Sequence, residues 1–189
     1  SVDEAINSDM EQKIKSRTNL PPDDVKDAFV TQWDKNKDDT KFHRTDKPED
    51  LREIGVNSVG LWSETIAKEI QPKLVQKKLA VEFDDFDFNI LQFADVITED
   101  DVIIDNKTAG RSVSVNKITN KLIIPHDHRL QLTMYDIGYE VNELVRAKSL
   151  GLDYLIKNKK PKIQQSRWSP NKEDRQYVLG LMEHVAKGV

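Results

Sequence analysis

The stretch Leu91-Gln92-Phe93-Ala94-Asp95-Val96-Ile97-Thr98-Glu99-Asp100-Asp101-Val102-Ile103-Ile104-Asp105-Asn106-Lys107 decides the fold. Leu91, Phe93 and Ile97 alternate with their neighbours, and Asp95 falls on their face. Val102-Ile103-Ile104 is a short β-branched run. The polar cluster Thr98–Asp101 between the two runs fits a hairpin turn. Along the second strand, alternation sends Asp105 and Lys107 to one side. Asp95 on the first strand then lies across from Asp105 or diagonal to it, with opposed Cβ atoms about 5 Å apart. Carboxylates that close repel unless one is protonated or a cation sits between them. A hard divalent ion with oxygen ligands resolves the repulsion. Lys107 beside that ion could orient a water or stabilise negative charge on a phosphate, and Asn106 would offer its backbone carbonyl. Both aspartates interrupt apolar strands, where a charge is costly unless paired or coordinating. The plain alternative is an exposed hairpin with surface charges, because Asp-x-Lys alone is a weak signal.

Downstream, a helix is expected from an N-cap near Asp127, with Leu130, Met134, Ile137, Val141 and Leu144 on one stripe and Gly151 as its end. Gln131 and Tyr135 are four apart and share a face at the edge of that stripe. There they can hydrogen-bond a phosphate, a metal-bound water or a carboxylate, or form an ordinary amphipathic boundary. Residues 152–156 and 163–168 read as strands. Ser169-Pro170 reads as the start of a last helix that turns Val178, Leu181, Met182 and Val185 inward. Upstream, Leu79, Val81 and Phe83 alternate as a first strand. A helical pattern runs from Pro48 to Lys73, and another opens at Pro22 with Val25, Phe29 and Trp33 inward. Residues 1–17 space Val2, Ile6, Met10 and Ile14 as one stripe. The whole predicts one α/β domain over residues 1–189. Residues 1–73 are mainly helical; residues 74–189 form a central mixed sheet, antiparallel at its first three strands, with flanking helices.

The 189 residues are 37% hydrophobic and 33% charged, the balance of a globular chain. No apolar run reaches about 18 residues, and no secretory signal is present, so the expectation is a cytoplasmic protein with no membrane partner. The absence of cysteine excludes disulfides, thiolate zinc sites, cysteine nucleophiles and any iron–sulfur cluster held by this chain alone. The net charge of −4 argues against a uniformly basic coat. Residues 81–105 nevertheless hold nine acids and no Lys or Arg, whereas residues 146–175 hold nine bases against three acids. An acidic centre beside a basic flank suits a site that binds cations and a polyanion together. His126 and His128 flank a helix start and read as exposed imidazoles, and Trp168 after Arg167 is the best placed of three tryptophans to stack on a base.

Asp95, then Asp105-Asn106-Lys107, then Gln131-Leu132-Thr133-Met134-Tyr135, in strand–strand–helix order, resembles the PD-(D/E)XK nuclease superfamily. More narrowly it is similar to the RecB-type exonuclease branch, phage-encoded members included, with its GxxD, (D/E)xK and QxxxY motifs. Val81-Glu82-Phe83 looks like that branch's first core strand, and Leu155 to Lys162 like its late strand and basic turn. The chain departs from the pattern at three points. Gln92 stands where GxxD has its glycine. Asp3 stands where a helix of the branch has a metal-binding histidine. The four cysteines that many relatives use for an iron–sulfur cluster have no counterpart, which implies a member without the cluster or flanking segments outside this sequence.

The resemblance implies a restriction-endonuclease-like core and a Mg²⁺- or Mn²⁺-dependent DNA nuclease, working from an end. Asp3, Asp95, Asp105 and the Asn106 carbonyl would hold the metal. Lys107 would position the attacking water, and Gln131 and Tyr135 would orient the nucleic acid. Lys157, Lys159, Lys160, Lys162 and Arg167 would track phosphates. DNA is the implied partner, with recombination or replication proteins beside it. A catalytically silent DNA- or partner-binding module, or a site-specific endonuclease, would use the same core.

Overall fold

The computed structural model describes residues 1–82 and 89–188. Phe83, and Asp84, Asp85 and Asp87 of the acidic run, lie outside the described residues. The order is α1 (Val2–Ser16), α2 (Pro22–Asn36), α3 (Pro48–Glu64), α4 (Ile66–Glu69), β1 (Pro72–Glu82), β2 (Asn89–Thr98), β3 (Val102–Ala109), α5 (His126–Glu143), β4 (Ser149–Ile156), β5 (Lys162–Trp168) and α6 (Lys172–Gly188). The five strands form one sheet in the order β1-β2-β3-β4-β5. β2 and β3 pair antiparallel, Val96 with Ile104 and Ile97 with Ile103. β3 and β4 run parallel: the Lys148 N–H donates to Asp101 O at 2.9 Å at their beginnings, and the Lys157 N–H to Ala109 O at 2.7 Å at their ends. A parallel neighbour needs a crossover, which α5 supplies. The result is the expected mixed, helix-flanked α/β sheet.

Contacts divide the chain into two compact units: Ser1–Val75 with Asn106–Val113 and Asp153–Gln164, and Gln76–Asp105 with Ser114–Leu152 and Gln165–Val189. In the first unit α1, α2 and α3 pack on one another, around Ile6, Met10, Val25, Phe29, Val59 and Trp62. A Cβ on Gly55 would stand 2.1 Å from the Phe29 ring, so only glycine lets that ring lie on α3. Ile14, expected on the α1 stripe, is 36% exposed, because α1 turns its last inward position over to Lys13. The Lys13 ammonium donates to Ala67 O at 2.7 Å and to Asn19 Oδ1 at 2.9 Å. Asp9, fully buried, accepts from the Leu20 N–H at 2.6 Å and from Asn19 Nδ2 at 2.9 Å. The α1–α2 connection is thereby tied back to α1 by a closed polar network. Burial holds the Lys13 ammonium below the usual lysine range, and Asp9 opposes the shift. The helix expected to reach Lys73 ends earlier. Pro72 cannot continue it and pushes Gln71 toward extended backbone, so Pro72 opens β1, a position where a strand tolerates proline.

In the second unit α5 packs on β2 and α6. Val81, Ile137, Val178 and Met182 form a buried cluster. Leu181 and Val185, expected inward, are 37% and 56% exposed, since one stripe at i and i+4 suffices to cover α5. Asn171 caps α6 in place of Ser169, its Oδ1 accepting from the Asp174 N–H at 2.7 Å. α5 starts one residue before Asp127, after Pro125, and ends at Leu144 in the left-handed conformation, φ 58°. Gly151 therefore does not end it; Gly151 lies inside β4, where a Cβ would meet the Arg167 side chain at 2.8 Å. Asn142 of α5 reaches β1, donating to Ala80 O at 2.7 Å and accepting from the Ala80 N–H at 3.3 Å.

Candidate active site

The hairpin of β2 and β3 turns through Glu99–Asp101. The Asp101 N–H donates to Thr98 O at 3.0 Å, and Asp101 takes a left-handed φ of 58°, the third residue of a three-residue hairpin loop. Tyr139 of α5 donates its hydroxyl to Asp101 Oδ1 at 3.0 Å, with the Lys148 ammonium 3.5 Å from Oδ2. The turn is thus pinned to the helix, which fixes how far along β2 and β3 each α5 side chain falls. One turn of helix before Tyr139 lies Tyr135, and one turn before that Gln131.

The register that pairs Val96 with Ile104 brings Asp95 opposite Asp105 at its next step, so the two carboxylates belong to one side of the hairpin. Asp105 is 1% exposed, and Asp95 is half-buried. Their common charge is felt by the helix. The Tyr135 phenol is pushed up to about 12 by burial, then by the negative charges of Asp105 and Asp95, against the opposing Gln131 hydrogen bond. Gln131 Nε2 donates to the Tyr135 hydroxyl at 2.6 Å. Tyr135 is therefore a neutral phenol near pH 7, its oxygen engaged by Gln131 and its proton available to donate. It cannot act as a base there.

Two residues beyond the expected set belong to this neighbourhood. Gln76 donates Nε2 to Asp95 Oδ1 at 3.1 Å, from a left-handed backbone position in β1, φ 48°. A glutamine in that conformation inside a strand is strained, and no sequence signal marks it. Gln92 is 6% exposed on β2. The strand turns Gln92, Ala94 and Val96 inward, whereas Leu91 and Phe93 are 52% and 53% exposed. α5 covers the face that carries Leu79 and Gln92.

Asn106 and Lys107 continue β3 as the first residues of the other unit. Asp153, fully buried on β4, is a further carboxylate of that unit which the sequence reading passed over. Asp3 is exposed in the first turn of α1, beside the capping pair of Ser1 and Glu4. Lys157, Lys159, Lys160 and Lys162 are exposed around the β4–β5 connection. Arg167 donates to Ser166 O at 3.0 Å and Leu152 O at 3.4 Å, so its guanidinium is partly occupied by backbone. Among the described residues, no three His, Asp or Glu side chains gather as a ready metal cage, and no helix is long and apolar enough to cross a membrane.

No family model matches the chain, and no curated protein matches it. The fold is shared with a solved structure named "Putative exonuclease" from Eubacterium rectale: TM-score 0.59 at 13% identity over 85% of this chain. The chain spans 61% of that protein's length. A structure named SSO0001 aligns over 82% of this chain and 81% of its own, at 16% identity and a TM-score of 0.40.

Proposed function

We propose that the chain is a metal-dependent DNA nuclease that hydrolyses phosphodiester bonds from an end. The observation that carries this reading is the buried Asp105 opposite Asp95 in an antiparallel pair, near the Tyr135 phenol, whose pKa burial and then their charge push up. The likeness in fold to a structure named for exonuclease activity supports it. The donors suit a hard divalent cation: two carboxylates and a backbone carbonyl, all oxygen, leave room for the waters and phosphate oxygens that Mg²⁺ keeps around it. Asp95, Asp105 and the Asn106 carbonyl would hold Mg²⁺ or Mn²⁺. Such an ion supplies Lewis acidity to a phosphate and to a bound water.

The chain's own groups do the rest. Gln76 holds one oxygen of Asp95, which fixes the carboxylate on the hairpin. Lys107, two residues past Asp105 on β3, neutralises charge that develops on the phosphate or orients the attacking water. Tyr135, fixed by Gln131, donates to a phosphate oxygen. Lys157, Lys159, Lys160, Lys162 and Arg167 attract the backbone, which makes affinity fall with salt.

The test is degradation of end-labelled linear DNA in Mg²⁺ or Mn²⁺, with and without chelator. Loss of label only with the metal is the expected result. Binding without cleavage under every metal would mark a silent module, and cutting of covalently closed circles would mark an endonuclease.

A further inference from the structure

Between β3 and α5 the chain makes a finger, residues 114–123, which lies wholly in the second unit. Val115 and Leu122 pair antiparallel across it. The Asn116 N–H donates to Lys121 O at 2.8 Å, the Asn120 N–H to Asn116 O at 2.9 Å and the Ile123 N–H to Ser114 O at 2.8 Å. Asn116 Oδ1 accepts from the Ile118 N–H at 2.9 Å and from the Thr119 N–H at 3.0 Å. Asn120 takes a left-handed φ of 52°, which asparagine tolerates. The turn is thus fixed by its own hydrogen bonds, while every residue from 114 to 121 is exposed. At the tip stands Ile118, 94% exposed, the most exposed large hydrophobic side chain among the described residues. Turns favour Gly, Asn, Asp and Ser at such places, and folding gains nothing from an isoleucine left in water.

The charge around the tip selects an anionic partner. Lys117 and Lys121 are exposed on either side of Ile118. Residues 106–126 also include Lys107 and Arg111 and contain no Asp or Glu, which suits a polyanion. The partner must also offer the tip an apolar surface. A lipid surface fits poorly: Ile118 with the half-covered Val115 and Ile123 offers less than a myristoyl chain, which alone binds membranes only marginally. A single strand fits poorly too, because splayed bases stack on aromatic rings and residues 114–123 hold no Phe, Tyr or Trp. Inside a duplex, pushing an isoleucine into a step costs about as much in unstacking as its burial returns, so no surplus is left for affinity. The end of a duplex differs. The outer face of its last base pair is flat, apolar and already unstacked, so covering it costs no stacking. A turn held by its own bonds loses little freedom on docking there.

We infer that the finger of residues 114–123 binds an end of duplex DNA, Ile118 packing on the outer face of the terminal base pair and Lys117 and Lys121 contacting the flanking phosphates. The finger runs through Pro125 into α5, the helix that carries Gln131 and Tyr135 in the same unit. The inference rests on the nuclease reading for DNA as the polyanion, and it names duplex ends as the substrate class.

The test is fluorescence anisotropy in chelator, so that binding is read without cleavage. The probes are a blunt duplex labelled internally, the same duplex with both ends closed by loops, and a single strand of the same sequence; phosphatidylglycerol vesicles are a separate arm. The wild-type protein should bind the blunt duplex about tenfold more tightly than the closed one, about 1.4 kcal/mol. Ile118→Asn, a residue the turn accepts, should erase that preference and leave Tm and the closed-duplex affinity unchanged. Ile118→Leu should keep the preference. Lys117→Gln with Lys121→Gln should weaken binding of both duplexes and reduce its salt slope by about two phosphate contacts. Equal binding of blunt and closed duplexes by the wild type would overturn the inference, as would an end preference that survives Ile118→Asn. Vesicle binding lost in Ile118→Asn, with no end preference in the wild type, would hand the tip to a lipid surface instead. Cleavage of DNA without end preference refutes the finger's role alone. End preference without cleavage in Mg²⁺ or Mn²⁺ refutes the nuclease reading and leaves the finger's role standing.

Discussion

Two polar clusters, one in each unit, are built in opposite ways. In the first, Asp9, Lys13 and Asn19 close a network in which the carboxylate takes a backbone N–H and an amide, and the ammonium takes a carbonyl and the same amide's oxygen. In the second, Asp105 and Asp95 share one side of a hairpin, burial and then their charge raise the Tyr135 pKa, and Gln92 keeps a whole carboxamide without a partner among the described residues. Buried polarity that the chain answers itself fastens a fold. A buried carboxamide left without a partner among the described residues fastens nothing.

The contrast breaks most directly at Asp9. Asp9→Ala should leave Lys13 buried without its counter-charge and cost about 3–5 kcal/mol in urea unfolding. A loss under about 1 kcal/mol would remove the network from its fastening role, since that is the scale of an ordinary surface pair. Asp105→Ala should do the reverse. Cleavage should fall by about a hundredfold or more, as it should for Lys107→Ala, yet Tm in chelator should hold or rise once repulsion with Asp95 is gone. Full nuclease activity in either purified variant would sink the catalytic reading.

Tyr135 gives a smaller and purely pH-dependent effect. Its folded pKa, about 12, lies above the ordinary 10, so the folded protein binds that proton more tightly than the unfolded chain. The stabilisation is complete below pH 10 and is lost as pH climbs from 10 to 12, about 2–3 kcal/mol in all. Denaturation midpoints at pH 9 and 11 should fall more in wild type than in Tyr135→Phe; parallel falls would mean the phenol does not carry that charge. Smallest is a surface test. Lys159→Glu with Lys160→Glu, exposed in the first unit, should weaken DNA binding and flatten its salt dependence by roughly two phosphate contacts, with turnover at saturation little changed. An unaltered slope would restrict that unit to scaffolding.

What the sequence disclosed follows from what each signal depends on. Period-four spacing of Val25 and Phe29, and alternation around a polar turn at Thr98–Asp101, are local, and both the helix and the hairpin stand as read. The helix expected to run to Lys73 breaks at Thr65, which closes α3, and again at Ile70, whose extended backbone leads into Pro72; the apolar spacing ran through both breaks. The alternation of Leu91 and Phe93 marked β2 as a strand but not which of its faces is covered. The helix that covers β2 lies some forty positions later in the sequence, and it covers Gln92. Gln76 was invisible for a different reason: a left-handed residue that is neither Gly, Asn nor Asp has no compositional mark.

One side chain on α5 has a consequence for how the molecule breathes. β1 is the outermost strand of the sheet, and an outermost strand normally offers its backbone to water or to a neighbouring chain. At Ala80 both backbone groups are held by Asn142, which also donates to Gly138 O at 2.7 Å within its own helix. The Ala80 amide hydrogen should therefore exchange with deuterated solvent on the timescale of α5 lifting from the sheet, slower than its neighbours on the same rim. A stray strand seeking to extend the sheet there must first displace a helix.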